Sequence, residues 1–301
     1  MLSKEIKKPR KKIVKVKEKE KPTFEDIMSL KMMVKVRDDF QKIRIKLDNR
    51  LGVKANGEQQ DIPERIFDQN DFYMFEGISG TTHLQEKLLE DMLIDSLKKF
   101  PIYNRFLKNI DRVGNITSGW IIAEFNIEKA TTVSKMWQFA GLNAALVRGK
   151  KDIEAEKYKP SMGEIIKEYE PFAGNKRIIY KTNEMIRGDK LHKEFTSPFN
   201  QNLRRVLLGI LATGFITGKS KYALDYYYPY KARLEQEESK VMHIGKMVAW
   251  KDVSDGHRHN AAKRYMIKMF IKDLYVAWRT IEGLPVRESY QEEYLGHKHA
   301  M

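Results

Sequence analysis

The chain has 301 residues, 56 Lys and Arg against 41 Asp and Glu, a net charge of +15 and an isoelectric point near 9.6. It contains no cysteine, which excludes disulfides, thiolate nucleophiles and cysteine-ligated zinc. No apolar run approaches the ~20 residues of a spanning helix and no apolar stretch follows the basic N-terminus, so a cytoplasmic protein without a membrane partner is expected, its charge favouring nucleic acid over anionic membrane.

Residues 1–22 carry ten Lys/Arg against three Glu. Residues 1–23 are therefore predicted to be a disordered basic arm, serving loose phosphate contact or solubility alone. From Phe24 to Leu51, Met33, Val36, Phe40, Ile43 and Leu47 recur at helical spacing and predict a long amphipathic helix. Leu84, Leu89, Leu93, Leu97 and Phe100 supply its partner, in a run from Thr81 that Pro101 ends. Residues 52–80 read as a connection with a short helix at Pro63–Gln69. The whole of 24–100 is expected to form an antiparallel coiled-coil hairpin and, through apolar faces left over, a homodimer.

Lys108–Leu142 reads as a helix-hairpin-helix, with a turn at Gly114-Asn115 and a third helix from about Ala130. Ile116, Trp120, Ile121, Ala123 and Phe125 give the second helix a buried side. Asn115, Thr117 and Ser118 can cap that helix and, with its N-terminus, meet a phosphate; equally, Gly114 simply joins two core helices. Residues 143–196 are charged and punctuated, and predict an irregular insertion with one helix near Met162–Tyr169 and a second segment near Ile178–Ile186. Lys176 and Arg177 in it contact phosphate or face only water.

Asn200–Ile216 is apolar on almost every side and predicts a central buried helix, capped by Ser197 or Asn200, with Gly209, Ala212 and Gly214 admitting another backbone. Arg204 and Arg205 lie in its first turns, against the helix dipole, which calls for an anionic neighbour or an internal salt bridge. Tyr222, Tyr226, Tyr227, Tyr228 and Tyr230 either stack on unpaired bases or pack a helix edge. The last long helix starts near Gly256, turns Ile267, Phe270, Ile271, Leu274 and Trp278 inward, and repeats Arg264, Lys268 and Lys272 on another face. His257, His259 and Asn260 at its start fit capping or phosphate and ribose contact better than a metal site shared with His297 and His299. Neither metal nor cofactor is expected. No GxxxxGK[ST], GxSxG or HExxH occurs and no βαβ unit is read, so the chain is predicted to be all-α and to lack a catalytic centre.

Gly114–Trp120 with Phe139-Ala140-Gly141-Leu142, then Asn202-Leu203-Arg204 and Ala261-Ala262-Lys263-Arg264, resemble the C-terminal domain of the bridge-RNA-guided insertion-sequence transposases. Those enzymes carry an N-terminal RuvC-like domain and a nucleophilic serine shortly after the Ala-Gly-Leu element. Here residues 24–108 read as a helical arm, and no serine occurs between Leu142 and Ser161. A long helical hairpin before a compact helical domain is similar to the Nop domain of box C/D small nucleolar ribonucleoproteins. Both features, with Gly256-His257-Arg258-His259-Asn260, Gly283-Leu284-Pro285-Val286 and Leu295-Gly296-His297, resemble the Tas proteins of tandem interspaced guide RNA systems, over residues 80–300.

The resemblance implies an all-α protein with a coiled-coil arm over 24–100 and a Nop-like domain over 101–301. It implies a non-enzymatic, dimeric binder that holds a box C/D-like guide RNA and directs it to target DNA in a bacterial or phage-infected cell. The candidate RNA-binding residues are Gly114, Asn115, Thr117, Ser118, Lys176, Arg177, Asn202, Arg204, Arg205, His257, Arg258, His259, Asn260, Lys263, Arg264 and Lys268. The alternatives are a diverged transposase using Ser161 or Ser197, and a protein that coats DNA without regard to sequence.

Overall fold

A computed structural model describes residues 21–52, 69–243 and 245–287. The predicted basic arm up to residue 20, the short helix near Pro63 and the His297/His299 pair lie outside the described residues. Helix α1 (Phe24–Leu51) starts at a capping box, in which Asp26 N donates to Thr23 Oγ1 (3.2 Å) and Thr23 N donates to Asp26 Oδ2 (3.0 Å). It stops at Gly52, whose φ of 68° suits a residue without Cβ. Helix α2 (Gln69–Leu97) returns antiparallel: Lys99 meets Asp26 (2.7 Å), Glu86 and Glu90 each meet Arg37 (2.6 Å), and Ser79 donates to Asp48 (2.6 Å).

The seam of this hairpin differs from the predicted one. Leu30 and Val34 pack with Leu93 and Leu97 at its base, but farther out Arg37, Asp48, Ser79 and Glu86 occupy the interface. The 3-4 spaced apolar stripe of α1 is real but flanks the seam, and Ile43 on it is exposed. Leu84, expected inside, is 70% exposed. At ~100° per residue, Met32, Val36 and Ile43 of α1 and Met74, Ile78, Leu88 and Met92 of α2 fall on the same side of the antiparallel pair. Apolarity alone selected the open side, because buried charges paired across the seam hold the distal arm. Replacing Arg37 by Met should lower stability by about 2–4 kcal/mol, since Glu86 and Glu90 lose a partner in a mostly dry setting. Thermal unfolding checks this, and a change within error would mean the pairs contribute nothing.

The fold is mixed and not all-α. The insertion forms a three-stranded antiparallel sheet of β1 (Leu146–Glu154), β2 (Glu164–Tyr169) and β3 (Arg177–Arg187), in the order β1-β3-β2. Along β3, Ile178, Tyr180, Thr182 and Ile186 turn inward, a two-residue period that the surrounding charges obscured. The predicted helix at Met162–Tyr169 is β2 instead: Gly163 at φ 144° opens it, and Ile165 pairs with Tyr180. A second hairpin, β4 (Lys240–His243) and β5 (Lys246–Ala249), precedes the last helix.

The remaining elements are α3 (Pro101–Arg105), α4 (Asn115–Glu124), α5 (Val133–Phe139), α6 (Gln201–Arg204), α7 (Ala212–Thr217), α8 (Tyr228–Gln236) and α9 (Asp255–Ile281). A π-helical stretch, Arg205–Leu211, joins α6 to α7 without a break, and another, Ala223–Tyr227, leads into α8. Trp120 and Ile121 of α4, Leu203, Val206, Leu207 and Phe215, and Met266, Phe270 and Leu274 of α9 share one core with the base of the arm. Arg279 closes its lower end, donating to the carbonyls of Ile127 (2.9 Å) and Ala130 (3.0 Å). The run from Gln201 to Thr217 is not buried all round, for Arg205, Gly209 and Ile210 are exposed. That open side is the floor of a groove.

Candidate nucleic-acid interface

The groove begins where Asn200 starts α6. Its Oδ1 accepts from Leu203 N (3.0 Å), and its Nδ2 donates to Glu124 (2.6 Å), a carboxylate that also binds Lys31 (3.1 Å). One cap thus ties α6 to α4 and α1. Beside it, Gly141 sits at φ 69°, and a Cβ there would lie 2.6 Å from the Phe199 ring and 3.1 Å from Arg204 Cδ. The Ala-Gly-Leu element therefore serves close packing: Phe199 rests on Gly141, and the Arg204 guanidinium covers that ring at 4.5 Å.

Arg204 also donates to the Asp189 carbonyl (2.6 Å), while Arg187 grips both Asp189 carboxylate oxygens at 2.9 Å. Burial opposes ionisation of Asp189, yet the Arg187 hydrogen bond and the charges of Arg187 and Arg264 hold its carboxyl below the usual range. From α9, Arg264 repels Arg204 and Lys268. Burial first, and Arg264 second, push the Arg204 guanidinium and the Lys268 ammonium below their ordinary values. Lys268 lies over the Trp137 ring at 5.3 Å, and Trp137 Nε1 donates to the Lys268 carbonyl (3.0 Å). Arg187 pairs directly with the Asp189 carboxylate, while Arg204 holds the backbone carbonyl of that residue, and Arg204, Arg264 and Lys268 interact with the carboxylate charge only at longer range. Such an excess of half-buried cations is costly in the free protein and relieved by an anion.

No protein-family model, curated protein or solved structure matches this chain.

Of these cations Arg204 lines a hollow of about 590 Å³, together with Asp189, Lys190, Leu191, Phe199, Gln201, Arg205, Leu208 and Gly209. A second hollow of about 380 Å³ includes Asp38, Arg112, Gly114, Asn115, Ile116, Thr117 and Ile210 in its lining. Arg205, in the wall of the first, is hydrogen-bonded to Asp38, in the wall of the second. The two hollows thus lie on either side of the Arg205–Asp38 pair, with Leu208 and Gly209 of the π-helical stretch in the first and Ile210 in the second.

At the hairpin, the left-handed residue is Arg112 (φ 67°), not Gly114, whose φ of −74° is ordinary. The Arg112 guanidinium lies against Gly218, where a Cβ would come within 2.2 Å of Nε. First-turn N–H groups of α4 have no intrahelical partner, and Asn115, Ile116 and Thr117 line the hollow. Asn115 Oδ1 accepts from the Tyr103 hydroxyl (2.8 Å), while Ser118 is wholly buried and cannot meet a ligand from there.

Other expected contacts are engaged elsewhere. Arg177 binds Asp152 (3.0 Å) at the far end of β3 and Lys176 precedes it, about 30 Å of strand from Arg187. Arg258 donates to the Val253 and Lys251 carbonyls (2.6 and 2.9 Å), which fastens the start of α9. His259 Nδ1 shares a 2.6 Å hydrogen bond with the Tyr227 hydroxyl, and His257 packs on Trp250 and His243. Asn202 and Asn260 are exposed outside the lining of the groove, and Lys263 reaches Thr213 (3.5 Å). The tyrosines pack mainly on one another: Tyr222 stacks on Phe215 and Tyr230 on Tyr265 (4.3 Å). Ser197 donates to the Phe199 carbonyl (2.7 Å), and Ser161 lies in the short turn Pro160–Met162. Among the described residues, no group of three His, Asp or Glu could hold a metal, and no helix is long and apolar enough to cross a membrane.

Arg112 stood outside the predicted contacts, and Arg187, Asp189 and Lys190 read only as part of the charged insertion; the fold alone carries them to α6.

Burial, then the charges of His243 and Arg264, push the His257 imidazole below 6.5; burial, then Lys263 and Lys231, do the same to His259 against Asp255. The unfolded chain therefore takes up these protons first. Their stabilising contribution is complete above 6.5 and is lost as pH falls through and below it. Melting temperature should drop between about pH 7.5 and about pH 5.5, and drop less in a His257→Gln/His259→Gln protein. Equal slopes for both proteins would contradict this.

Proposed function

We propose that this chain is an RNA-binding protein that holds a box C/D-like guide RNA and directs it to DNA, without a nuclease centre of its own. The observation that carries the reading is the set Arg187, Arg204, Arg264 and Lys268 around Asp189, with Arg204 and Asp189 in the wall of one hollow and the N-terminus of α4 in the wall of a second across the Arg205–Asp38 pair. Charge-assisted contacts from arginine and from helix N-terminal amides suit phosphodiesters. Three of the segments that resemble transposase C-terminal domains lie near it: Gly141 beneath Phe199 and Arg204, Arg264 close enough to repel Arg204, and Gly114 in the second hollow. The likeness supplies the guide RNA and the DNA target, and the groove supplies the phosphate contacts.

The same reading makes the protein a homodimer through the arm, joined on the side where Met32, Ile43, Met74, Ile78, Leu88 and Met92 are exposed. Contiguous apolar surface of this kind is rare on monomers. Light scattering should give twice the chain mass, and one chain mass for a Leu88→Lys/Met92→Lys protein; a monomeric wild type would remove the dimer.

The deciding experiment is sequencing of the RNA that co-purifies with the protein, expressed with its native flanking DNA, after a high-salt wash that strips purely electrostatic contacts. One short, defined RNA is expected. Heterogeneous RNA would favour a nucleic-acid coating protein, and strand transfer lost on Ser197→Ala would favour a transposase.

A further inference from the structure

We propose that Arg148, Lys150 and Lys181, on the sheet of the insertion, form a second phosphate-binding site distinct from the groove. These three residues line a separate hollow of about 340 Å³ with Gln138, Thr196 and the apolar Val147, Ile186 and Pro198. No acidic residue lines it. Lys150 of β1 stands directly opposite Lys181 of β3, an arrangement in which like charges face each other across neighbouring strands and destabilise the pair.

The neighbourhood offers no direct ion pair to these three. Lys151, one residue along, takes Glu184 (2.9 Å) and Glu194 (3.8 Å) for itself. Glu164 lies opposite Lys181 on β2, but among the described residues no carboxylate comes within 4 Å of Arg148, Lys150 or Lys181. Arg148 and Lys150 are exposed and Lys181 is half-buried, so their charges border a cavity that a ligand can enter. The strand register also carries an irregularity between Arg148 and Lys150, where Gly149 packs its backbone against the Phe195 ring, 2.3 Å from a would-be Cβ. Arg148 and Lys150, two residues apart on β1, line the same opening. Gln138 adds a neutral hydrogen-bonding group, as a phosphate oxygen shell uses, while Thr196 holds the strand by donating its N–H (2.8 Å) and hydroxyl (3.2 Å) to the Lys150 carbonyl.

The ligand class is a phosphate group. Its source is the nucleic-acid backbone if the function proposed above holds, and a free phosphate compound otherwise. The backbone is favoured because Pro198 of this hollow is followed in the chain by Phe199 of the groove, which brings the two sites within reach of one nucleic-acid strand. In its nucleic-acid form the inference rests on that function.

The test compares wild type with an Arg148→Gln/Lys181→Gln protein, using a synthetic RNA stem-loop, a DNA duplex and inorganic phosphate as probes. Loss of two phosphate contacts should weaken nucleic-acid binding at least tenfold and flatten the dependence of log K on log salt by about 1.4–1.8. Without any probe, Lys181→Thr should raise the melting temperature by about 1–3 °C, because the facing charges are relieved. Wild type that binds nucleic acid with the same slope as the double variant overturns the site while sparing the proposed function. Wild type that ignores nucleic acid but binds inorganic phosphate, with that binding lost in the variant, upholds the site and sinks the function. Binding of neither probe overturns the site, and a melting temperature lowered by Lys181→Thr contradicts the like-charge argument.

Discussion

Replacing Arg204 and Arg264 together by Gln is expected to weaken RNA binding by about 100-fold or more while leaving the fold intact. Each guanidinium supplies a charge-assisted contact of about 1.5–3 kcal/mol to a phosphate, and their combined loss should lower the salt slope by about 1.4–1.8. Stability should barely change, because two opposing effects meet. Arg204 gives up its hydrogen bond to the Asp189 carbonyl and part of its cover over Phe199. Against that, Arg204, Arg264 and Lys268 repel one another in a half-buried setting, and neutral side chains end that repulsion. Filter binding across a salt series, with thermal unfolding alongside, separates the two readouts. Unchanged affinity with unchanged stability would show that the cluster has no anionic partner.

Gly141→Ala is expected to lower stability by about 2–4 kcal/mol and to weaken RNA binding with it. Its left-handed backbone strains any residue with a Cβ, and the added methyl collides with Phe199 and crowds Arg204 Cδ. Phe199 cannot yield easily, since its neighbour Asn200 donates its backbone N–H to the Phe139 carbonyl (2.8 Å) and its side chain to Glu124. The strain is therefore passed to the Arg204 guanidinium, which moves off the ring. Gly114→Ala is the natural control. Gly114 has an ordinary φ and nothing within 4 Å of a Cβ, so stability should hold, and any loss should appear in binding alone.

Much of this interface was legible wherever local rules decide. Asn200 capping a helix, Arg204 and Arg205 set against its dipole, and the helical periodicity of α9 all follow from spacing and chemistry along a few residues. The insertion was not legible, because the apolar Ile179 breaks the alternation of Ile178, Tyr180 and Thr182, Arg177, Lys181 and Glu184 crowd it with charge, and flanking turns made the stretch look irregular. Period two over so short a segment competes poorly with a dense charge pattern. The all-α expectation fell there, and again at β4 and β5. On the arm, the 3-4 stripe from Met33 to Leu47 pointed to the right element but the wrong face, since Arg37 and Glu86 take seam positions through pairing that no single helix reveals. For the candidate contacts, Arg258 and His259 illustrate a general limit: a polar residue at a helix start suits capping and ligand contact equally, and only the partner distances assign it.

The proposed function requires RNA to lie along the two hollows between the α4 hairpin and Arg204. Amide hydrogen exchange on the protein with and without its co-purified RNA tests it most directly. Slowed exchange over 112–118, 187–205 and 208–213, with the tyrosine-rich stretch 222–230 unchanged, is the result this account predicts. Protection confined to the 222–230 stretch or to the far end of the sheet around Arg177, with both hollows unprotected, would contradict it.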